Sequence, residues 1–196
     1  MDVIYPTIIE KTPTGEKHYD LLSKHFEQRN VFIVGEINNA VAVSTIAQLI
    51  YLNSFDSTSA INVYINSPGG SVVDGLSIMD CWNSISAPIN TIGFGMCASM
   101  GAFLLAAGKK DSNSKRQALP NCQIMIHQVS GVVSGQASDI RILAEQAKFM
   151  NQRLREYLCQ FTGKTLEEIE AASDRDNYMT PEQAIEFGLL DGIVGA

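Results

Sequence analysis

Four short stretches hold residues whose types and spacing could do chemistry. In Gly95-Met96-Cys97-Ala98-Ser99-Met100-Gly101-Ala102 a serine sits where a strand and loop turn into a helix, among small neighbours that leave room for a substrate backbone. The first turn of a helix has N–H groups without helical partners and a partial positive charge. A hydroxyl there faces surroundings that favour developing negative charge, although Ser99 is equally a favoured helix cap. Asn66-Ser67-Pro68-Gly69-Gly70 follows a β-rich run and leaves glycine amides unobstructed. Such amides bind a carbonyl oxygen as it becomes an oxyanion, and they also suit a tight strand-to-helix turn. His127 closes the apolar run Gln123-Ile124-Met125-Ile126. The carboxyl ends of parallel strands are where α/β sheets carry their sites, yet a lone histidine in that position is more often structural. Asp174-Arg175-Asp176-Asn177 precedes a capped helix and by itself reads as a charged surface turn. His18 and His25 lie in polar segments and are assigned no role.

The elements that must position these groups follow from patterning. Residues 61–65 read as a strand, 72–85 as a helix, 89–92 as a strand ended by Gly93-Phe94-Gly95, 99–107 as a small-residue helix and 123–126 as a strand. Strands alternating with helices imply crossover units and a largely parallel sheet. Upstream, Asp20 suits the cap of a short helix over 21–28, 31–34 is β-rich and 40–52 has helical spacing. Downstream, Ile140, Leu143, Ala147, Met150, Leu154, Leu158 and Phe161 recur at three- and four-residue steps. They form one apolar stripe of a long amphipathic helix, by default a core-facing one, with Gly163 at its end. Thr165-Leu166-Glu167-Glu168 and Thr180-Pro181-Glu182-Gln183 fit capping boxes, Gly188 suits a helix end, and Ile193-Val194 suits a last short strand.

A chain of 196 residues with a net charge of −7 fits one domain with a full core. An acidic chain repels phosphate backbones, so no nucleic acid partner is expected. No basic helix points to a membrane surface, and the least polar stretch, 96–108, is too short to span a bilayer. Cys81, Cys97, Cys122 and Cys159 form neither a C-x-x-C pair nor a metal-spaced cluster, and read as buried thiols of a reducing compartment. Residues 1–10 lack the basic start and apolar core of a secretory signal, so a cytoplasmic location is expected.

Taken in order, Asn66-Ser67-Pro68-Gly69-Gly70, Ala98-Ser99-Met100-Gly101-Ala102, Met125-Ile126-His127-Gln128, Gly135-Gln136-Ala137 and Arg175-Asp176 make a pattern far more specific than any one of them. Over nearly its whole length the sequence resembles the ClpP family, the proteolytic subunits of Clp proteases. The resemblance implies an α/β ClpP/crotonase-like fold of repeated β-β-α/β-α units. It also implies a flexible N-terminal axial segment over 1–17, a single protease domain over 18–196 and a protruding strand–helix handle at about 128–161. Ser99 matches the family's nucleophile, His127 its general base and Asp176 the acid that orients the base. Gly70 and Met100 match the residues whose backbone N–H groups form the oxyanion hole, and Asp174 and Arg175 match a charged inter-ring pair. No cofactor or metal is required. The resemblance further implies two stacked seven-membered rings around a chamber, peptide and unfolded-protein substrates, and docking of a Clp-type AAA+ unfoldase near residues 5–10. Two departures from the family pattern stand out: a longer polar loop over 109–117, and Val129-Ser130-Gly131-Val132-Val133 where the family often shows proline and a glycine pair. Two other readings are an inactive ring subunit, which would lack members of the triad, and a crotonase-type acyl-CoA enzyme, which uses carboxylates in place of a serine–histidine pair. Ser99 and His127 together speak against both.

Overall fold

The computed structural model describes residues 6–108, 114–130 and 134–195. It opens with an antiparallel hairpin of β1 (Thr7–Thr12) and β2 (Gly15–Asp20), paired from Thr7↔Asp20 to Thr12↔Gly15. Residues 7–17 of the expected axial segment thus form a paired ribbon that runs on to Asp20, and residues 1–5 lie outside the described residues. Asp20 then caps α1 (Leu21–Glu27), its carboxylate accepting from the Ser23 N–H, as its sequence position suggests.

After α1 come β3 (Asn30–Val34), α2 (Asn39–Phe55), β4 (Ile61–Ser67), α3 (Val72–Ser84), β5 (Ile89–Ala98) and α4 (Met100–Ala107). They are followed by β6 (Arg116–Ala118), β7 (Gln123–Ile126), α5 (Ala137–Thr162), α6 (Leu166–Ser173), β8 (Asn177–Met179), α7 (Pro181–Phe187) and β9 (Gly192–Ile193). Among the described residues the main sheet has seven strands in the order β3-β4-β5-β6-β9, with β7 beside the far half of β5 and β8 beside β7. Every pairing is parallel except β7 with β8. The mixed α/β, largely parallel architecture read from the strand–helix alternation is the one the chain adopts.

The core is continuous. Ile61, Val63 and Ile65 of β4 alternate inward and are fully buried, and all eight residues of α4 are buried. Only small residues let α4 come this close. A Cβ on Gly101 would stand 2.7 Å from the Ser67 carbonyl oxygen, inside any real contact distance. On the other face of the sheet, the side chains of Asn30, Asn62 and Asn90 hydrogen-bond in a row across β3, β4 and β5, at 3.1 and 3.0 Å. They occupy paired register positions.

Three features depart from the sequence reading. First, β5 does not stop at its glycines but runs on to Ala98. Ile65 pairs with Gly93 while Ser67 pairs with Cys97, so β5 uses four residues where β4 uses two. This bulge is held by Asn66, whose Oδ1 accepts from the Met96 N–H at 3.1 Å, and by Gly95 at φ 63°. Second, β6 is a strand that patterning does not reveal. It is anchored by Arg116, which is 5% exposed, pairs with Asp191 at 2.8 Å and donates to the Phe161 carbonyl. Third, the apolar stripe of α5 is buried only toward its carboxyl end. Leu158 is in the core, and Tyr157 and Phe161 pack with Phe103, whereas Ile140 and Leu143 of the stripe are exposed, as are Ile142 and Phe149 off it.

Both capping boxes form, at Thr165 and Thr180. Gly163 and Gly188 end their helices in the left-handed conformation. Residues 127–130 carry no strand pairing among the described residues, so the strand half of the expected handle is not seen there. The polar loop at 109–113 and residues 131–133 lie outside the described residues. Among those described, no helix is long and apolar enough to cross a membrane.

Candidate active site

Ser99 is the single residue between the end of β5 and the start of α4, and the turn it makes is abrupt. Its backbone has φ 53° and ψ −122°, a conformation that side chains other than glycine rarely adopt and that costs about 1–3 kcal/mol. Neighbouring bonds hold it there. The Ser99 N–H donates to the Met125 carbonyl of β7 at 2.8 Å, and the Ser99 carbonyl accepts the first helical bond from Phe103 N–H at 3.0 Å. Its side chain makes no cap hydrogen bond. The capping role that its position also allowed is therefore not the one it plays, and the hydroxyl is turned instead toward His127.

His127 follows the last residue of β7, at the carboxyl end of a parallel strand. Asp176 immediately precedes β8, which runs antiparallel to β7 with Ile126 opposite Asn177. One step beyond that pair, His127 and Asp176 are cross-strand neighbours, although 49 residues separate them in sequence. His127 Nδ1 lies 3.0 Å from Asp176 Oδ1, and Nε2 lies 2.9 Å from Ser99 Oγ. A carboxylate only accepts, so Nδ1–H donates to Asp176. The neutral ring then leaves Nε2 to accept from the Ser99 hydroxyl. The imidazole is largely enclosed, whereas the Asp176 side chain is 59% exposed.

The Pro-Gly-Gly turn closes on this elbow. Gly69 (φ 101°) packs so tightly that a Cβ there would stand 2.6 Å from Ser99 Cβ. Ile37 brackets the next residue: its N–H donates to Gly69 O and its carbonyl accepts from Ser71 N–H, each at 2.8 Å. Gly70's own amide is left out of that bridge. Met100 is the first residue of α4, so its N–H has no carbonyl of the helix to bind. A cleft of about 310 Å³ opens beside these groups, with Ser99, His127, Gly70, Met100, Leu154 and Arg155 among its walls. Such a site can polarise a hydroxyl through an imidazole and hold a substrate against backbone amides.

The other expected residues lie close by. Gln128 Nε2 donates to the Asp174 carbonyl at 2.8 Å. Asp174 and Arg175 point outward, the Arg175 side chain 92% exposed and only 3.7 Å from Asp174 within the same chain. Cys97 and Cys122 are buried free thiols 3.9 Å apart, as expected, but Cys81 and Cys159 are only partly buried because they sit on the outer helices α3 and α5. No cluster of His, Cys, Asp or Glu among the described residues has the makings of a metal site. Sequence reasoning did not single out Asn66, Met125 or Arg155. Asn66 was visible as the polar residue after a strand, and Arg155 as a charge three residues before Leu158. Met125 contributes only its carbonyl, which leaves no trace in residue type.

A mostly parallel α/β sheet carrying a hydroxyl, an imidazole and a carboxylate at its carboxyl edge is a framework for hydrolytic chemistry. The Clp protease family model matches residues 13–196, nearly the whole chain, and the chain belongs to that family of peptidases.

Proposed function

We propose that this peptidase is a serine endopeptidase in which Ser99 attacks the peptide carbonyl, His127 takes its proton and Asp176 orients the ring. The observation that carries the reading is the position of His127, within hydrogen-bond distance of Ser99 on one ring nitrogen and of Asp176 on the other. As Ser99 Oγ bonds to the carbonyl carbon, its proton passes to Nε2, and Asp176 stabilises the resulting imidazolium. The carbonyl oxygen, now an oxyanion, is held by the amides of Gly70 and Met100. Support for that role is the exclusion of the Gly70 amide from the Ile37 bridge and the place of Met100 at a helix start. The imidazolium then returns its proton to the leaving amine, and water hydrolyses the acyl-enzyme. No step calls for a metal or cofactor.

We assign the chain to two stacked heptameric rings enclosing a chamber, served in the cytoplasm by a Clp-type AAA+ unfoldase that feeds in unfolded protein. Exposed Ile140 and Leu143 on one face of α5, and Ile142 and Phe149 on the opposite face, support an assembled state, because a long helix bare of apolar cover on two sides fits contacts with more than one neighbour. Asp174 and Arg175, bared on the surface, fit an inter-ring role. The four free thiols fit a reducing compartment.

The test combines a fluorophosphonate probe with a fluorogenic peptide. The wild type takes up the label and cleaves the peptide, and Ser99→Ala loses the label and about 10⁶-fold in kcat. Labelling and cleavage that persist in Ser99→Ala would refute the assignment. Native mass of the same preparation measures the ring size.

A further inference from the structure

Arg155 stands on α5 and walls the cleft that holds Ser99 and His127. Its side chain is only 13% exposed. A guanidinium carries five N–H donors and accepts nothing, so enclosing one calls for several acceptors. Among the described residues this one has a single partner: Nη1 lies 2.6 Å from Glu170 Oε1, while Nε is buried and bonded to nothing. Glu170 is itself 58% exposed and shares its charge with water. One helical turn away, Asn151 Oδ1 accepts from the Val129 N–H at 3.1 Å and not from Arg155. The Nε–H is sealed from solvent, so the donors within a ligand's reach are those of the two terminal nitrogens, where the residue borders the cleft. The side of the cleft next to it carries apolar Leu154, Leu158 and Phe103, while Gln128, Ser130, Asn151 and Ser173 add neutral polar groups, so Arg155 brings the one full positive charge among its described walls.

We propose that Arg155 sets the specificity of the cleft, selecting peptides whose residue on the acyl side of the scissile bond ends in a carboxamide or carboxylate. The methylenes of a glutamine or glutamate lie along Leu154 and Leu158, and the head accepts from the guanidinium. Methionine, of similar length, covers the same walls but leaves those donors empty. The inference rests on the reading of Ser99 as the nucleophile that faces this cleft.

The test uses peptidyl-aminocoumarins identical except for Gln, Glu or Met next to the coumarin, whose leaving amine has no side chain to fill the cleft. In the wild type, kcat/KM for Gln and Glu exceeds that for Met by about tenfold. Arg155→Met reverses the order. Both readouts are ratios within one preparation, so a partly folded variant does not distort them. Glu170→Gln, a change at an exposed site, removes the neighbouring negative charge and raises the Glu-to-Gln ratio, which tests the idea even where Arg155→Met fails to fold. Binding of the same peptides to Ser99→Ala, followed by fluorescence polarisation, supplies a readout without hydrolysis. Equal or Met-favouring rates in the wild type, or an order unchanged in Arg155→Met, overturn the role of Arg155 even if cleavage is rapid. Ordered binding without any hydrolysis by the wild type leaves that role standing and overturns the chemistry assigned to Ser99.

Discussion

Replacing Asp176 by asparagine or by alanine separates two jobs that its carboxylate does for His127. At 3.0 Å from Nδ1 the carboxylate accepts a proton from the ring and so fixes which nitrogen is left free to face Ser99. An asparagine in the same place offers an NH₂ group that donates to Nδ1 and draws the ring proton to Nε2. That nitrogen then can no longer accept from the Ser99 hydroxyl 2.9 Å away. The expected loss is about 10⁴-fold in kcat, or about 5.5 kcal/mol at the usual conversion of rate into barrier height. Alanine acts differently, because the Asp176 side chain is 59% exposed. Water enters the vacated space and accepts from Nδ1–H, the working tautomer survives, and only the charge is lost, so kcat falls by about 10³. Asp176→Ala should therefore outperform Asp176→Asn, and added formate or acetate should raise its rate further. The assay is steady-state hydrolysis of a fluorogenic peptide across pH, with ¹⁵N NMR of the imidazole reporting the tautomer. An Asp176→Asn enzyme within tenfold of wild type, or one faster than Asp176→Ala, would show that the carboxylate does not govern the ring.

Two further outcomes follow from the packing. Gly69→Ala forces a Cβ to within 2.6 Å of Ser99 Cβ at a φ of 101°, so it should cost about 2–4 kcal/mol in thermal denaturation and abolish fluorophosphonate labelling even in the folded fraction. Arg116→Met removes a buried guanidinium that pairs with Asp191 and donates to the Ala106 and Phe161 carbonyls, and should lower stability by about 2–4 kcal/mol in a urea titration while leaving the KM of surviving enzyme unchanged.

The sequence was most informative where local rules act alone. Asp20, Thr165 and Thr180 bind the backbone amide of the third helical residue, and Gly163 and Gly188 adopt the left-handed turn that ends a helix. These depend on a few adjacent residues. The strand–helix alternation was legible for the same reason. What stayed hidden depends on partners distant in the chain. The glycines of β5 read as a strand end because nothing nearby announces that Asn66 reaches over to hold the strand through a bulge. β6 has too few residues to form a pattern, and it exists because Arg116 meets Asp191. In the hairpin over 7–20, Thr7-Ile8-Ile9 suits a strand, but Gly15-Glu16-Lys17-His18 does not, and the ribbon exists through the pairing of the two. In the site, Ser99 and His127 were marked by their places at element ends. Asp176 could be told from Asp174 only through resemblance, and it is the pairing of Ile126 with Asn177 that brings its carboxylate beside the ring.

The bulge in β5 also sets the phase of the chain. Before it Gly93 lies opposite Ile65, and after it Cys97 lies opposite Ser67. Counting on, Ser99 arrives level with Gly69, the neighbour it touches. The two added residues keep odd and even positions on their sides, so that Cys97 faces the core where a side chain on Gly93 would meet it. Deleting a single residue there would swap those sides, turning the Cys97 thiol out of the core and setting Ser99 one residue out of level with Gly69, while the asparagine row at the opposite end of the sheet stayed in place.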